Sequence, residues 1–335
     1  MLASPARSGR HRGPIDSHAG LPVTERSQID SIRSTATVLE GASADYDDVL
    51  ERAGSARLVL IGEATHGTDE FYRMRAAITQ RLIEERHFDG VAVEGDWPDC
   101  YRVNRFVRGS GGGDSAAASL GEFERFPRWM WRNTAVLAFV GAHVVANAES
   151  YYRAMFGPRA LSWNMRDAHM AQTLAALQAY LRSQGRAGRI VVWAHNSHIG
   201  DARATDMSLA GEYNLGQLSR MATALGPAFL VGFTTYTGTV RAAREWGGEG
   251  DSRIVTRAVE GSCEHLFYRS GLEVFYMPLT PDPPAGLDEP MLQRAIGVLY
   301  LPETELQSHY LRVRVARQFD ALFHLDETHA LDPLD

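Results

Sequence analysis

The sequence predicts an α/β fold, with a largely parallel central sheet flanked by helices and an added helical layer or subdomain. Three observations predict it. Short continuous apolar runs recur along the chain, as strands buried on both faces require. Longer segments between them repeat apolar residues at helical spacing. Polar and charged residues gather directly after the runs, where an open α/β sheet places its ligands.

Taken in order, residues 1–30 are rich in Arg, Ser, Gly and Pro and lack an apolar signal core, so they read as a disordered leader. Residues 31–335 then read as a single α/β domain. Strands are expected at 57–61 (RLVLI), 90–93 (GVAV), 189–194 (RIVVWA), 228–233 (AFLVGF), 273–277 (EVFYM) and 295–300 (AIGVLY). A helix over 69–87 would put Phe71, Met74, Ile78 and Leu82 on one stripe. A second, over 166–184, would align Met170, Leu174, Leu177 and Leu181 and stop at Gly185. The helical part spans about 128–185, more helix than plain strand–helix alternation needs. The stretch GSGGGDSAAAS at 109–119 reads as a flexible loop, and PLTPDPPAGLDEP at 278–290 as a surface connection.

Composition narrows the function classes. The chain has 335 residues, 44% hydrophobic, with a formal net charge of −7. That is enough to bury a sizeable core, and no sustained basic patch points to nucleic acid. No apolar run is long enough to span a bilayer. Cys100 and Cys263 have no metal-type spacing and form no disulfide framework, which fits a reducing cytoplasm.

The chemistry collects at the strand ends. Glu63 and His66 follow the first run, Glu94 and Asp96 the second, and His195, Asn196, Ser197 and His198 the third. Thr234, Thr235 and Tyr236 follow the fourth. Parallel strands would bring these ends to one edge. Arg75 borders the apolar stripe of the 69–87 helix, where its fork could reach Glu63, Glu94 or an anionic intermediate. Each residue also has a plain reading: Glu63 as a helix cap, His66 as a turn histidine, Arg75 as a surface side chain lying along its stem. Together the plain readings weaken, because a buried charge needs a partner.

No G-x-S-x-G elbow, G-x-G-x-x-G turn or phosphate-binding loop follows any strand, and Cys263 with His265 is a weak nucleophile pair. Direct attack by water remains. Either a carboxylate-held histidine takes the proton and an arginine or second histidine stabilises the oxyanion, or Glu63, His66, Glu94 and His195 hold a divalent metal that activates the water. Glu-x-x-His also occurs in di-iron bundles, but there on a helix and not after a strand.

The blocks GEATHGTDEF, VAVEGDW, FPRWMWRNT, SWNMRDAHMAQTL, VVWAHNSHIGD, LVGFTTYTGTV and PETELQSHY resemble, in order, the erythromycin esterase-like family from about residue 40 onward. The resemblance implies an α/β fold with a helical part and hydrolysis of an ester, a macrolide lactone in the namesakes. It implies His66 as the base that activates water, Glu63 and Glu94 as cleft carboxylates, Arg75 as the cleft arginine and His195 as the second histidine. Substrate contacts are expected at His198, Asp96, Trp131 and His309. The implied chemistry needs no cofactor, the metal set above being the alternative, and the implied partner is a small-molecule ester. Relatives carry a longer segment where this chain has only residues 135–150, which keeps open a shortened, non-catalytic relative that only binds a ligand or partner. That segment is expected to be helical, with Val136, Phe139, Val140 and His143 on one stripe. Gly67 is expected to give the chain room to turn from strand to helix.

Overall fold

The computed structural model describes residues 24–109, 115–124, 127–142 and 159–334. The strands are β1 (Thr37–Val38), β2 (Leu58–Ile61), β3 (Gly90–Val93), β4 (Ile190–Trp193), β5 (Ala228–Ala242), β6 (Asp251–Val255), β7 (Val274–Pro278), β8 (Met291–Arg294), β9 (Tyr310–Val313) and β10 (Ala321–Thr328). The main sheet runs β1-β7-β10-β5-β2-β4-β3, with β6 on the far half of β5; β8 and β9 pair separately. From β3 through β4, β2 and β5 to β10 every pairing is parallel. β7 and β1 close the other edge antiparallel.

The period of two along β2 divides the core. Val59 and Ile61 enter one apolar cluster with Phe71, Ile78 and Leu82 of the helix Asp69–Arg86 and with Val136 and Phe139 of the helix Thr134–Ala142. Leu58 and Leu60 enter the other, with Leu174 and Leu181 of the long helix Arg159–Ser183 and Phe267 of the helix Cys263–Arg269. Both faces of β2 and β4 are therefore covered, which is why they read as unbroken apolar runs.

Several expectations change. The leader reading of 1–30 ends too late: Thr24 caps a helix, Glu25–Thr35, whose Ile29 and Ile32 are buried; residues 1–23 lie outside the described residues. Residues 295–300 are not a strand of the sheet. They cross over the turn after β2, where Ile296 N–H donates to Ala64 and Val298 accepts from Ala243. β5 runs on to Ala242, so Thr234, Thr235 and Tyr236 are strand interior beside β10 and not a strand end. The 278–290 stretch is not only surface, since Leu279 and Leu287 are wholly buried. Within 109–119, residues Ala116–Ser119 form a helical turn, and 110–114 lie outside the described residues. The helix Thr134–Ala142 takes in residues 135–142 of the 135–150 bridge; His143 and the rest of the bridge lie outside the described residues.

Candidate active site

The site grows from the turn after β2, where the neighbours β4 and β5 lead to opposite sides of the sheet. Gly62 donates to Val231 of β5, and a Cβ there would fall 2.1 Å from Asn196 Oδ1. Asn196 in turn donates from its backbone to Glu63 and from its side chain to Phe233, tying the ends of β2, β4 and β5 together. Gly67 has a different reason from room to turn. Its carbonyl accepts from Arg241 and Leu331, and a Cβ would lie 1.9 Å from Arg241 O. Only a residue without a side chain lets this turn press against β5.

Within this turn Glu63 and His66 face each other, with Glu63 Oε1 2.8 Å from His66 Nδ1. Tyr72, one helical turn on, donates its hydroxyl to His66 O at 3.0 Å. Arg75 is fully buried, with Nη2 2.5 Å from Glu63 Oε2. The N–H does not point along that line, so the contact is an ion pair and not a directed hydrogen bond. The guanidinium lies over the rings of Tyr72 at 4.2 Å and Trp193 at 4.9 Å, which favour a cation. The surface reading of Arg75 is thus excluded. With Nδ1–H donating to Glu63, a neutral imidazole would keep Nε2 as its acceptor nitrogen. Among the described residues nothing bonds Nε2.

A second unit lies beside the first. His66 and His195 have ring centroids 4.8 Å apart. Glu94, after β3, accepts from His195 N–H at 3.0 Å and lies 3.2 Å from His198 Nε2. His198 Nδ1 meets both oxygens of Asp167 at 3.0 Å, and Trp163 stacks flat on its ring at 4.3 Å. Burial alone would lower the pKa of His198, but the Asp167 and Glu94 carboxylates push it up to about 10. Burial alone would raise that of Glu94, yet His198 and then His66 hold it well below the usual carboxylate range. His195 is pushed down to about 3, by burial first and then by its histidine neighbours, against the pull of Glu94. It is therefore neutral: Nε2–H donates to Ala64 O at 3.2 Å, and Nδ1 accepts from Ser197.

Glu63, His66, Arg75, Glu94, His195 and His198 thus form one continuous cluster. Asp96 sits at the N-terminal boundary of the helix Trp97–Val107, two residues beyond Glu94. Trp131 is buried edge-on to Tyr72, whose ring lies against Arg75. His309 belongs to another network: Nε2 accepts from Leu301 N–H, and its ring packs on Tyr300, which donates to Glu305. Cys263 is no nucleophile, being buried with its thiol pushed up by burial and by Glu264. Sequence reasoning missed Asp167 and Trp163. Residues four apart on a helix share a face, but nothing in the sequence turns that face toward His198. Among the described residues no group of three or more His, Cys, Asp or Glu side chains has metal-ligand geometry.

A model of the erythromycin esterase family matches residues 83–142 and 141–328. The two matched pieces meet inside the segment expected to be short, and the match begins after Glu63, His66 and Arg75. Among solved structures, a protein from Bacillus cereus is similar with a TM-score of 0.69 at 14% identity, over 94% of this chain and 100% of that one. A succinoglycan biosynthesis protein is similar with a TM-score of 0.67 at 16% identity, over 93% and 100%. The erythromycin esterase EreC, as a histidine-to-asparagine variant in its open conformation, is similar with a TM-score of 0.56 at 14% identity, over 88% and 97%. At such identities these likenesses show the fold.

Proposed function

This chain belongs to the erythromycin esterase family, a membership that suggests a hydrolase, and from that premise we propose that it hydrolyses a carboxylic ester by direct attack of water, with His66 as general base. The observation that carries the reading is the buried Arg75–Glu63–His66 relay, which presents Nε2 of a carboxylate-oriented imidazole. His66 Nε2 takes a proton from water while the water oxygen bonds to the ester carbon and the carbonyl electrons move to oxygen. The tetrahedral intermediate then collapses. The carbon–alkoxide bond breaks, the alkoxide takes the proton back from His66, and an acid and an alcohol leave. Glu94 opposes the positive charge that His66 acquires between the two transfers.

Arg75 and His195 were expected to position the substrate carbonyl or stabilise the oxyanion; their surroundings support another role for each. Arg75 is sealed between Tyr72, Trp193 and Glu63, and both ring nitrogens of His195 serve the protein. Both are better read as holding the base and Glu94 in place. The donor set also supports the metal-free reading. Both oxygens of Glu63 are engaged, by His66 and Arg75, and His195 offers no free nitrogen for a cation.

The test is a screen of simple aryl and alkyl esters and a macrolide lactone with wild type, His66→Asn and Glu63→Gln, each with and without chelator. His66→Asn should lower kcat by about 100- to 10,000-fold, the usual worth of a positioned general base. Glu63→Gln should cost less, because the amide oxygen still accepts from Nδ1–H, and chelator should change nothing. Equal rates in wild type and His66→Asn would remove His66 from the mechanism. Activity lost to chelator and restored by a divalent ion would give the site to the metal reading.

A further inference from the structure

The helix Arg159–Ser183 packs its apolar side on β2 and β4, but it also sends two functional side chains into the site. Asp167 is wholly buried, and its carboxylate has two tasks: it meets His198 Nδ1 and accepts from Leu215 N–H at 2.8 Å. One turn earlier, Trp163 lies parallel to the His198 ring, with an interplanar angle of 4°, and donates Nε1–H to Tyr213 O. Leu215 opens a helix capped by Asn214, whose amide donates to Ser197 O. Two elements that are remote in sequence therefore clamp the His198 turn from outside the sheet. The charged and titratable groups around His198 include Asp167 on the long helix, Glu94 after β3, His195 on its own turn and His66 after β2, with the Arg166 guanidinium of the long helix lying over the Trp163 ring at 5.1 Å.

Both nitrogens of His198 face carboxylates. An imidazole can donate from both only when protonated. An imidazolium so placed cannot serve as a base, and neither N–H is left for substrate. What it can do is fix the rotamer of Glu94 and keep that carboxylate charged beside His66.

We propose that Asp167 and Trp163 are positioning residues that act through His198, holding it as the cation that keeps Glu94 ionised and fixed against the His195 backbone, next to the His66 ring. The proposal rests on the hydrolytic reading for its consequence and on the geometry alone for the state of His198. A rigid carboxylate–imidazolium–carboxylate chain, Asp167–His198–Glu94, then runs from the helical part to the catalytic turn. The stacked indole restrains the ring about its plane, and Asp167 sets its direction.

The experiment has two arms, both on the full chain. The first needs no substrate. Imidazole resonances are followed by NMR against pH in wild type, Asp167→Asn and Trp163→Phe, with His198→Gln used to assign the signal. His198 should stay protonated up to about pH 10 in wild type. It should titrate at least one unit lower in Asp167→Asn and change little in Trp163→Phe, which keeps a stacked ring. A wild-type His198 that titrates near the ordinary histidine value, or an Asp167→Asn variant with an unmoved midpoint, overturns the proposal. The second arm measures kcat and KM for an ester that wild type hydrolyses. Asp167→Asn should lower kcat by about 10- to 100-fold, as loss of a carboxylate that orients a functional histidine does at metal sites. KM should hold within about twofold, and the deficit should grow as pH passes the lowered His198 midpoint. A uniform loss across pH, with thermal stability reduced in parallel, would assign Asp167 a structural role only and overturn the proposal. If wild type hydrolyses no ester, the hydrolytic reading fails while the NMR arm still decides the state of His198.

Discussion

Arg75→Met is the sharpest perturbation of the core of the site. Arg75 is 0% and Glu63 1% exposed, and the two are 2.5 Å apart. Methionine fills much of the same volume but leaves Glu63 buried with only His66 to face. Breaking one side of a buried ion pair costs about 3–5 kcal/mol, because the remaining charge is uncompensated. Loss of the contacts with Tyr72 and Trp193 falls within that figure. Unfolding entropy of about 2.1 cal/mol/K per residue gives roughly 0.7 kcal/mol/K for this chain, so Tm should fall by about 4–7 °C. The assay is a four-member thermal unfolding cycle by calorimetry: wild type, Arg75→Met, Glu63→Gln and the double variant. The double variant removes both charges and should lose about 2 kcal/mol or less, well below the sum of the singles. Arg75→Met within about 1 °C of wild type would refute a buried pair, and additive losses would refute the coupling.

Stability should depend on pH through two histidines in opposite directions. His195 binds its proton more weakly when folded, so unfolding takes up a proton below the ordinary histidine value; stability should fall as pH drops from about 6.5 toward 3. His198 binds its proton more tightly when folded, so its contribution is complete below about 6.5 and is lost as pH rises through about 10. Urea midpoints across that range should peak near neutrality, and flattening of the alkaline limb in Asp167→Asn would tie that limb to His198. Gly67→Ala should be strongly destabilising, by more than about 2 kcal/mol, because its Cβ would collide with the Arg241 backbone; Gly54→Ala, where nothing lies within 4 Å, should stay within about 1 kcal/mol. Equal urea midpoints for the two would disprove the close approach. Cys100 and Cys263 should resist an exposed-thiol reagent until the chain unfolds, since both are buried with thiols pushed up by burial; rapid labelling of the folded chain would contradict that environment.

The amino-acid sequence alone determined the parallel heart of the sheet, because β2 and β4 are buried on both faces and a doubly buried strand is a continuous apolar run, while β3 at the edge is buried at Val91 and Ala92. It also determined which residues reach the edge that carries the candidate site, since parallel strands deliver the residues at their carboxyl ends to one side. Glu63, His66, Glu94, His195 and His198 are all read this way. It could not place β10, whose run ALFHLDET mixes buried apolar residues with His324 and acids and so lacks the unbroken pattern. Nor could it reject 295–300 as a strand, because crossing the buried β2 turn calls for the same apolar side chains as pairing in a sheet. Only the tertiary structure decided that Gly67 yields to Arg241 of a strand more than 170 positions away, and that Asp167 and Trp163 belong to the site. The physical reason is range. Apolar periodicity is written into neighbouring residues, whereas the partner of a buried charge is chosen by packing between segments that the sequence does not order in space.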